Sequence, residues 1–211
     1  MPARFVYWMN VSVDLRIEHR PGEEGGGSWL RISDELHREF NARARAMTSM
    51  VQGRIVYETM EKFWPAAAED QTQPDVLREY GRIWTTTPKV LISRTRTSAE
   101  HNTRVIGADG DAIEQLAALR ADGDGDIGVG GATVATQLLH ARLLDELLLF
   151  VHPAMLGSGR PLFDELAERD EPVELDLLEH RVFGEGVTMV RYAVRSVPPV
   201  GLEPTNDAHF K

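Results

Sequence analysis

There is no cysteine in this 211-residue chain. That excludes disulfide staples, thiolate nucleophiles and cysteine-ligated zinc, and it suits a reducing cytoplasm. Basic residues are in deficit too. Lys and Arg number 23 against 33 Asp and Glu, for a formal net charge of −10. A protein that grips nucleic acid needs a basic surface against the phosphates, so no nucleic-acid partner is expected. No apolar run approaches the ~20 residues of a membrane-spanning helix, so no membrane partner is expected either. Met1-Pro2-Ala3-Arg4 leads straight into a strand pattern without the shape of a signal peptide, and a cytoplasmic location is the expectation. The seven histidines are scattered with no His-x-x-x-His pair, which leaves a metal site no footing. Neither a Gly-x-Ser-x-Gly elbow nor a Walker loop occurs.

What remains is an ordinary globular composition, 42% hydrophobic and 27% charged. Residues 1–195 read as one domain and 196–211 as a C-terminal tail. Phe5–Val11 is rich in aromatic and β-branched residues and reads as a buried strand. Arg20–Ser28 is glycine-rich and reads as a loop. Ser33 is a candidate N-cap, and Leu36, Phe40, Ala44 and Met47 then share one helical face. Thr48–Gln52 reads as a strand and Tyr57–Phe63 as a short helix stopped near Trp64-Pro65. Asp111-Ala112-Ile113-Glu114 is a capping box. Leu147–His152 is a nearly continuous apolar run, as for a strand buried on both faces. Val173–Glu179 and Val187–Val194 read as antiparallel C-terminal strands around Gly184-Glu185-Gly186. The alternation implies an α/β domain, a mostly parallel central sheet flanked by helices. Ligands of such sheets lie beyond the carboxyl ends of the strands.

The most informative stretch is Ile127-Gly128-Val129-Gly130-Gly131-Ala132-Thr133-Val134. A short apolar strand ends in two glycines and a helix begins at once. The first N–H groups of such a helix are unpaired and its positive dipole end points at the same spot. Glycines let a phosphate approach the backbone. The junction reads as a phosphate cradle or as a tight packing turn. If it is a cradle, Gly131→Asp blocks the ligand without unfolding the chain, provided the backbone angles suit a side chain.

Other blocks join it: Gly53-Arg54-Ile55-Val56-Tyr57-Glu58, Ile92-Ser93-Arg94-Thr95, Asp145-Glu146 leading to His152-Pro153, Leu156-Gly157-Ser158-Gly159-Arg160-Pro161-Leu162-Phe163, and Asn10-Val11-Ser12-Val13-Asp14. Taken in order, they resemble the dihydrofolate-reductase-like fold, and within it the reductase domain of bacterial riboflavin biosynthesis and its stand-alone relatives. The family's zinc deaminase motifs are absent from the sequence.

The resemblance implies an NADPH-dependent reductase that transfers a hydride to a small heterocyclic (pyrimidine- or pterin-like) or carbonyl substrate. The family's formal activity is reduction of 5-amino-6-(5-phosphoribosylamino)uracil. The alternative is a non-catalytic nucleotide-binding or regulatory protein on the same fold. Cofactor contacts are implied for Gly53, Arg54, Ser93, Arg94, Thr95, Gly130, Gly131, Ala132, Thr133 and Val134. Arg54 reads either as a clamp on the extra ribose phosphate or as a surface partner of Glu58 at i,i+4. Asn10, Ser12 and Trp29 fall on the substrate side. Asp14 is the candidate catalytic carboxylate or, alternatively, the anchor of a local turn. True dihydrofolate reductases protonate the pterin from a carboxylate on the first helix. This chain has Leu36-His37-Arg38 there, which argues against a folate reductase and leaves His37 as a donor or a surface residue. Arg43 and Arg45 are candidates for a substrate phosphate. Relatives are commonly homodimers, so a two-fold homodimer is expected.

Overall fold

The aromatic and β-branched segment that starts at Arg4 becomes a central strand of the computed structural model, which describes residues 2–18, 27–108, 111–164 and 172–195. In chain order the elements are β1 (Arg4–Ser12), β2 (Arg16–Glu18), α1 (Asp34–Ala46), β3 (Met47–Gly53), α2 (Arg54–Glu69), α3 (Asp75–Thr86), β4 (Lys89–Ile92) and β5 (Thr103–Ile106). They continue with α4 (Ala112–Asp122), β6 (Asp126–Gly130), α5 (Ala132–His140), β7 (Leu144–His152), β8 (Arg160–Pro161), β9 (Leu175–Val182) and β10 (Thr188–Val194). Eight strands form one sheet in the order β5-β4-β3-β6-β1-β7-β10-β9, and β2 pairs with β8 beside it. The strands from β5 to β7 are parallel. Among the described residues of that sheet only β10 and β9 run antiparallel, and β2 and β8 pair antiparallel beside it. This is the expected arrangement of a mostly parallel sheet with antiparallel C-terminal strands.

Side chains of a strand alternate between faces, and β1 and β7 are apolar on both. Tyr7, Val51, Val129, Leu147 and Leu149 meet Val134, Ala135 and Leu138 of α5 and Leu116 of α4 on one face. Val6, Met50, Leu148 and Phe150 meet Leu36 and Phe40 of α1, Tyr57 of α2 and Trp84 of α3 on the other. Ser33 caps α1 by accepting the Leu36 N–H, and Asp111 caps α4 by accepting the Ile113 N–H. At the N-terminal ends of the strands, Arg191 and Arg4 bridge Asp126 and Glu146 in a half-buried charged cluster.

One helical expectation needs correction. Helix α2 does not stop at Pro65 but runs to Glu69, with Pro65 inside it. The residues beyond the proline pack on α3. Ala67 and Ala68 are buried, and a Cβ on Gly81 would lie 2.5 Å from the Trp64 carbonyl oxygen. Close packing against α3 offsets the hydrogen bond that proline deletes. Helix α3 itself carries no sequence signature strong enough to have been singled out, and it follows a loop that ends at Pro74. Strand β7 begins at Leu144 rather than Leu147, and β9 spans Leu175–Val182 rather than Val173–Glu179. Residues 20–26 of the expected loop and the tail from Ser196 lie outside the described residues.

Candidate active site

Adjacent strands β3 and β6 both end in glycine, and each is followed at once by a helix. Gly53 is the N-cap of α2 and Gly131 the N-cap of α5, neither with a side-chain cap. A Cβ on Gly131 would sit 3.9 Å from the Gly53 nitrogen and 3.4 Å from a Val56 methyl. A Cβ on Gly53 would sit 3.3 Å from Val134, and one on Gly130 would sit 3.1 Å from Val56. The two helix starts therefore converge, with side chains excluded between them. Gly131 has φ 108° and ψ 131°, a conformation that L side chains rarely adopt. The junction is a glycine-only turn that brings two helix N-termini without side-chain caps close together. Ala132 and Val134 are buried beneath it. Thr133 is exposed, and its hydroxyl donates to Asp164 at 2.6 Å and accepts from Arg160 at 2.8 Å. Thr136 accepts the Asp164 N–H at 2.9 Å, so the loop after β8 is latched onto α5.

Strand β4 ends beside β3, with Ile92 paired to Gly53. Ser93 is buried, and its hydroxyl accepts the Arg96 N–H at 3.0 Å and the Thr95 N–H at 3.3 Å. It shapes the exit turn. Thr95 and Arg94 are exposed, and Arg94 has no ion pair among the described residues. Arg54 pairs with Glu58 at 2.8 Å, the local partner expected at i,i+4. Arg96, unremarked in the sequence, takes Glu61 through both terminal guanidinium nitrogens at 2.8 and 3.3 Å and lies over Tyr57. A basic rim thus borders the glycine junction, partly neutralised by carboxylates of α2.

At the ends of β1 and β7 the chemistry changes. Ser12 is buried; its hydroxyl donates to Asp14 at 2.7 Å and accepts the Arg16 N–H at 2.9 Å. Asp14 also accepts the Leu156 N–H at 3.0 Å and the Gly157 N–H at 2.8 Å. The Ser12 hydroxyl and these two amides hold its carboxyl down at about 2. Asp14 is therefore ionised at neutral pH and clamps the Leu156-Gly157-Ser158-Gly159 loop to the end of β1. A carboxylate so held accepts protons poorly and has none to donate.

Asn10 meets His152, a residue the sequence shows only as one of several scattered histidines. His152 Nε2 lies 3.0 Å from Asn10 Oδ1, and His152 Nδ1 accepts the Arg31 N–H at 2.9 Å. His152 is fully buried, and burial lowers its pKa to about 4. Trp29 stands edge-on to it at 5.6 Å. The signal available in the sequence was a polar residue closing an apolar run just before Pro153. Gln52 was also missed: it is buried beside Gly130, its register partner, and its Oε1 has no hydrogen-bond partner.

The helix α1 candidates are occupied elsewhere. His37 is buried rather than at the surface, among Phe40, Trp64 and Tyr80, and its Nδ1 lies 3.2 Å from Asn41 Oδ1. Burial lowers its pKa, which disfavours the charged, donating form. Arg43 pairs with Glu39 and Glu179, and Arg45 with Glu79. Among the described residues no cluster of His, Asp or Glu could hold a metal ion, and no helix is long and apolar enough to cross a membrane.

Comparison with known proteins agrees with this architecture. The uncharacterized protein YyaP of Bacillus subtilis (strain 168) is 25% identical over 190 residues, 90% of this chain and 94% of that one. A putative riboflavin biosynthesis protein from Shewanella sp. PV-4 superposes with a TM-score of 0.68 at 20% identity, covering 93% of this chain and all of the other. A dihydrofolate reductase from Enterococcus faecalis, solved with NADP(H), gives a TM-score of 0.57 at 14% identity, over 92% and 97% of the two chains. At those identities the two structures establish the dihydrofolate-reductase-like fold. The family follows from the sequence itself: residues 5–189 match the model of the RibD C-terminal domain, and this chain belongs to that family.

Proposed function

We propose that this chain is an NADPH-dependent reductase that passes a hydride to a small heterocyclic, pyrimidine- or pterin-like, or carbonyl substrate. The observation that carries the reading is the meeting of two uncapped helix N-termini at Gly53 and Gly131, where a Cβ would intrude. Backbone N–H groups and helix dipoles there suit a pyrophosphate. Membership of the RibD C-terminal family and the NADP(H) held by the E. faecalis relative support the same choice of ligand.

When bound, the dinucleotide supplies the hydride, and the protein contributes position and electrostatics. The first turns of α2 and α5 would hold the pyrophosphate, with Gly53, Gly130 and Gly131 giving it room. Arg54 and Arg94 would meet the extra ribose phosphate, and Ser93 and Thr95 shape the turn beside it. Ala132, Thr133 and Val134 form the helix start. Asn10 and Trp29 face the substrate side, while Ser12 and Asp14 hold the adjoining turn and loop. Each turnover also adds one proton to the reduced substrate. Asp14 is ionised and the His152 ring proton is directed at Asn10, so solvent supplies that proton. The lack of a poised acid there favours one second reading, a nucleotide-binding protein without turnover.

Titration of NADPH fluorescence with the purified chain tests the cofactor, with NADH as the control. Binding of NADPH well ahead of NADH is expected, and equal affinities overturn the assignment. Oxidation of bound NADPH by a pyrimidine, pterin or quinone then separates the reductase from the non-catalytic reading. A two-fold homodimer is proposed alongside. Exposed Leu177, Leu178 and Val182 on the edge strand β9 support it, and the mass by light scattering at micromolar concentration checks it.

A further inference from the structure

Asn10 and His152 form a pair whose hydrogen-bond directions are imposed from outside. The Arg31 N–H donates to His152 Nδ1, so that nitrogen is an acceptor and carries no proton. The ring proton of the neutral imidazole then lies on Nε2, 3.0 Å from the Asn10 side chain. An N–H facing a carboxamide at that distance meets its oxygen. Asn10 is thereby held with Oδ1 toward His152 and its NH2 turned away. That NH2 has no hydrogen-bond partner among the described residues. Trp29, edge-on to the same imidazole, buries a second donor, Nε1, also without a partner.

These unused donors lie where β1 and β7 end, the end of a parallel sheet at which ligands bind. The nearby ionised group, Asp14, is committed to Ser12, Leu156 and Gly157. His152 stays neutral at physiological pH because it is buried, so the direction of the pair does not reverse. Such donors suit an acceptor oxygen, and they leave an amino group in that place unpaired.

We propose that Asn10, oriented by His152, is a specificity residue that reads a carbonyl oxygen of the heterocyclic substrate and rejects an amino group in its place. His152 is the positioning residue. The inference rests on the reductase reading only for seating the substrate ring at the ends of β1 and β7.

Lumazine and 2,4-diaminopteridine test it, because they share a bicyclic ring and differ in carrying carbonyl oxygens or amino groups. Affinities of both for the full chain are measured by fluorescence titration. The parent is expected to prefer lumazine by about tenfold, the scale of one or two neutral hydrogen bonds. Asn10→Asp exchanges N–H donors for acceptor oxygens and should invert the preference. Asn10→Ala should abolish it without inversion. His152→Phe frees the carboxamide to turn and should bring the ratio near one, whereas His152→Gln keeps a donor to Oδ1 and should restore much of it. A merely structural histidine would not move this ratio. If His152→Phe fails to fold, the Asn10 variants, at a half-buried position, decide. A ratio unmoved by Asn10→Asp, or a parent that binds neither pteridine, overturns the proposal. Loss of NADPH binding with the ratio intact instead overturns the reductase reading and leaves this inference standing.

Discussion

The two halves of the strand ends are built from different material. Around β3 and β6 the site is backbone: Gly53, Gly130 and Gly131 remove side chains, and two helix starts present N–H groups. Around β1 and β7 it is side chain: Asn10, His152 and Trp29 point one another by hydrogen bonds and ring contacts. The backbone half suits an anion whatever its neighbours, because its field comes from peptide dipoles. The side-chain half is neutral and directional, and it depends on every partner being in place. Strands from distant parts of the chain bring two glycine-capped helix starts and a neutral hydrogen-bonded side-chain cluster to one edge of one sheet.

The strongest way to break the backbone half is at Gly131. Its φ of 108° penalises any side chain, although a Cβ would only touch Val56. Gly131→Asp is therefore expected to lose NADPH binding and to cost about 1–3 kcal/mol of stability at once. The clean separation of binding from folding anticipated for that substitution does not hold, because the angles do not suit a side chain. Thr133→Glu does the job instead. Thr133 is exposed in the first turn of α5, where a negative charge favours the helix but repels a pyrophosphate. NADPH affinity should fall at least about tenfold, equivalent to ~1.4 kcal/mol, in a chain that still folds, although the exposed Thr133 hydrogen bonds to Asp164 and Arg160 are lost. A folded Thr133→Glu protein that binds NADPH normally would remove the anion site.

Acid is the way to break the side-chain half. The His152 pKa is depressed from 6.5 to about 4, so the unfolded chain binds its proton first as pH falls. The stability it contributes is whole above pH 6.5, declines below that, and is spent near pH 4, a loss of about 3 kcal/mol. Asp14 acts lower, in the window from 3.8 down to about 2. Denaturant titrations of the parent and His152→Gln at pH 7 and pH 4 should show the upper window shrinking in the variant. Equal pH dependence in the two proteins would show that His152 is not the titrating group.

A last pair of variants, ending on the smallest effect, sharpens the boundary between NADPH and NADH. Arg54→Ala should weaken NADPH by about 1.5–3 kcal/mol, the worth of a charge-assisted bond, and NADH much less. Glu58 already holds Arg54. Glu58→Gln should therefore tighten NADPH by about 1.5- to 5-fold, the scale of an exposed ion pair released. Isothermal titration with both dinucleotides reads the two variants together. Tightening of NADH as much as NADPH by Glu58→Gln would place Arg54 away from the distinguishing phosphate.

By itself the sequence determined what depends on neighbours along the chain. The Gly130-Gly131 junction, the Ser33 and Asp111 caps, the twice-buried β7 and the antiparallel pair at the end are local patterns, and periodicity and glycine placement report them. The family could be named from short blocks for the same reason, and the match over residues 5–189 agrees. Only the tertiary structure decided the rest. Pro65 stays inside α2 because α3 packs on the next turn, a contact no local rule contains. Asp14 became a loop clamp because Leu156 and Gly157, more than 140 residues away, give it their N–H groups. His152 acquired a fixed proton and Asn10 a fixed face because Arg31, Asn10 and His152 meet across β1 and β7. Backbone propensity is local and additive enough to be read in a line, whereas a hydrogen-bond direction exists only once both partners have been folded into place.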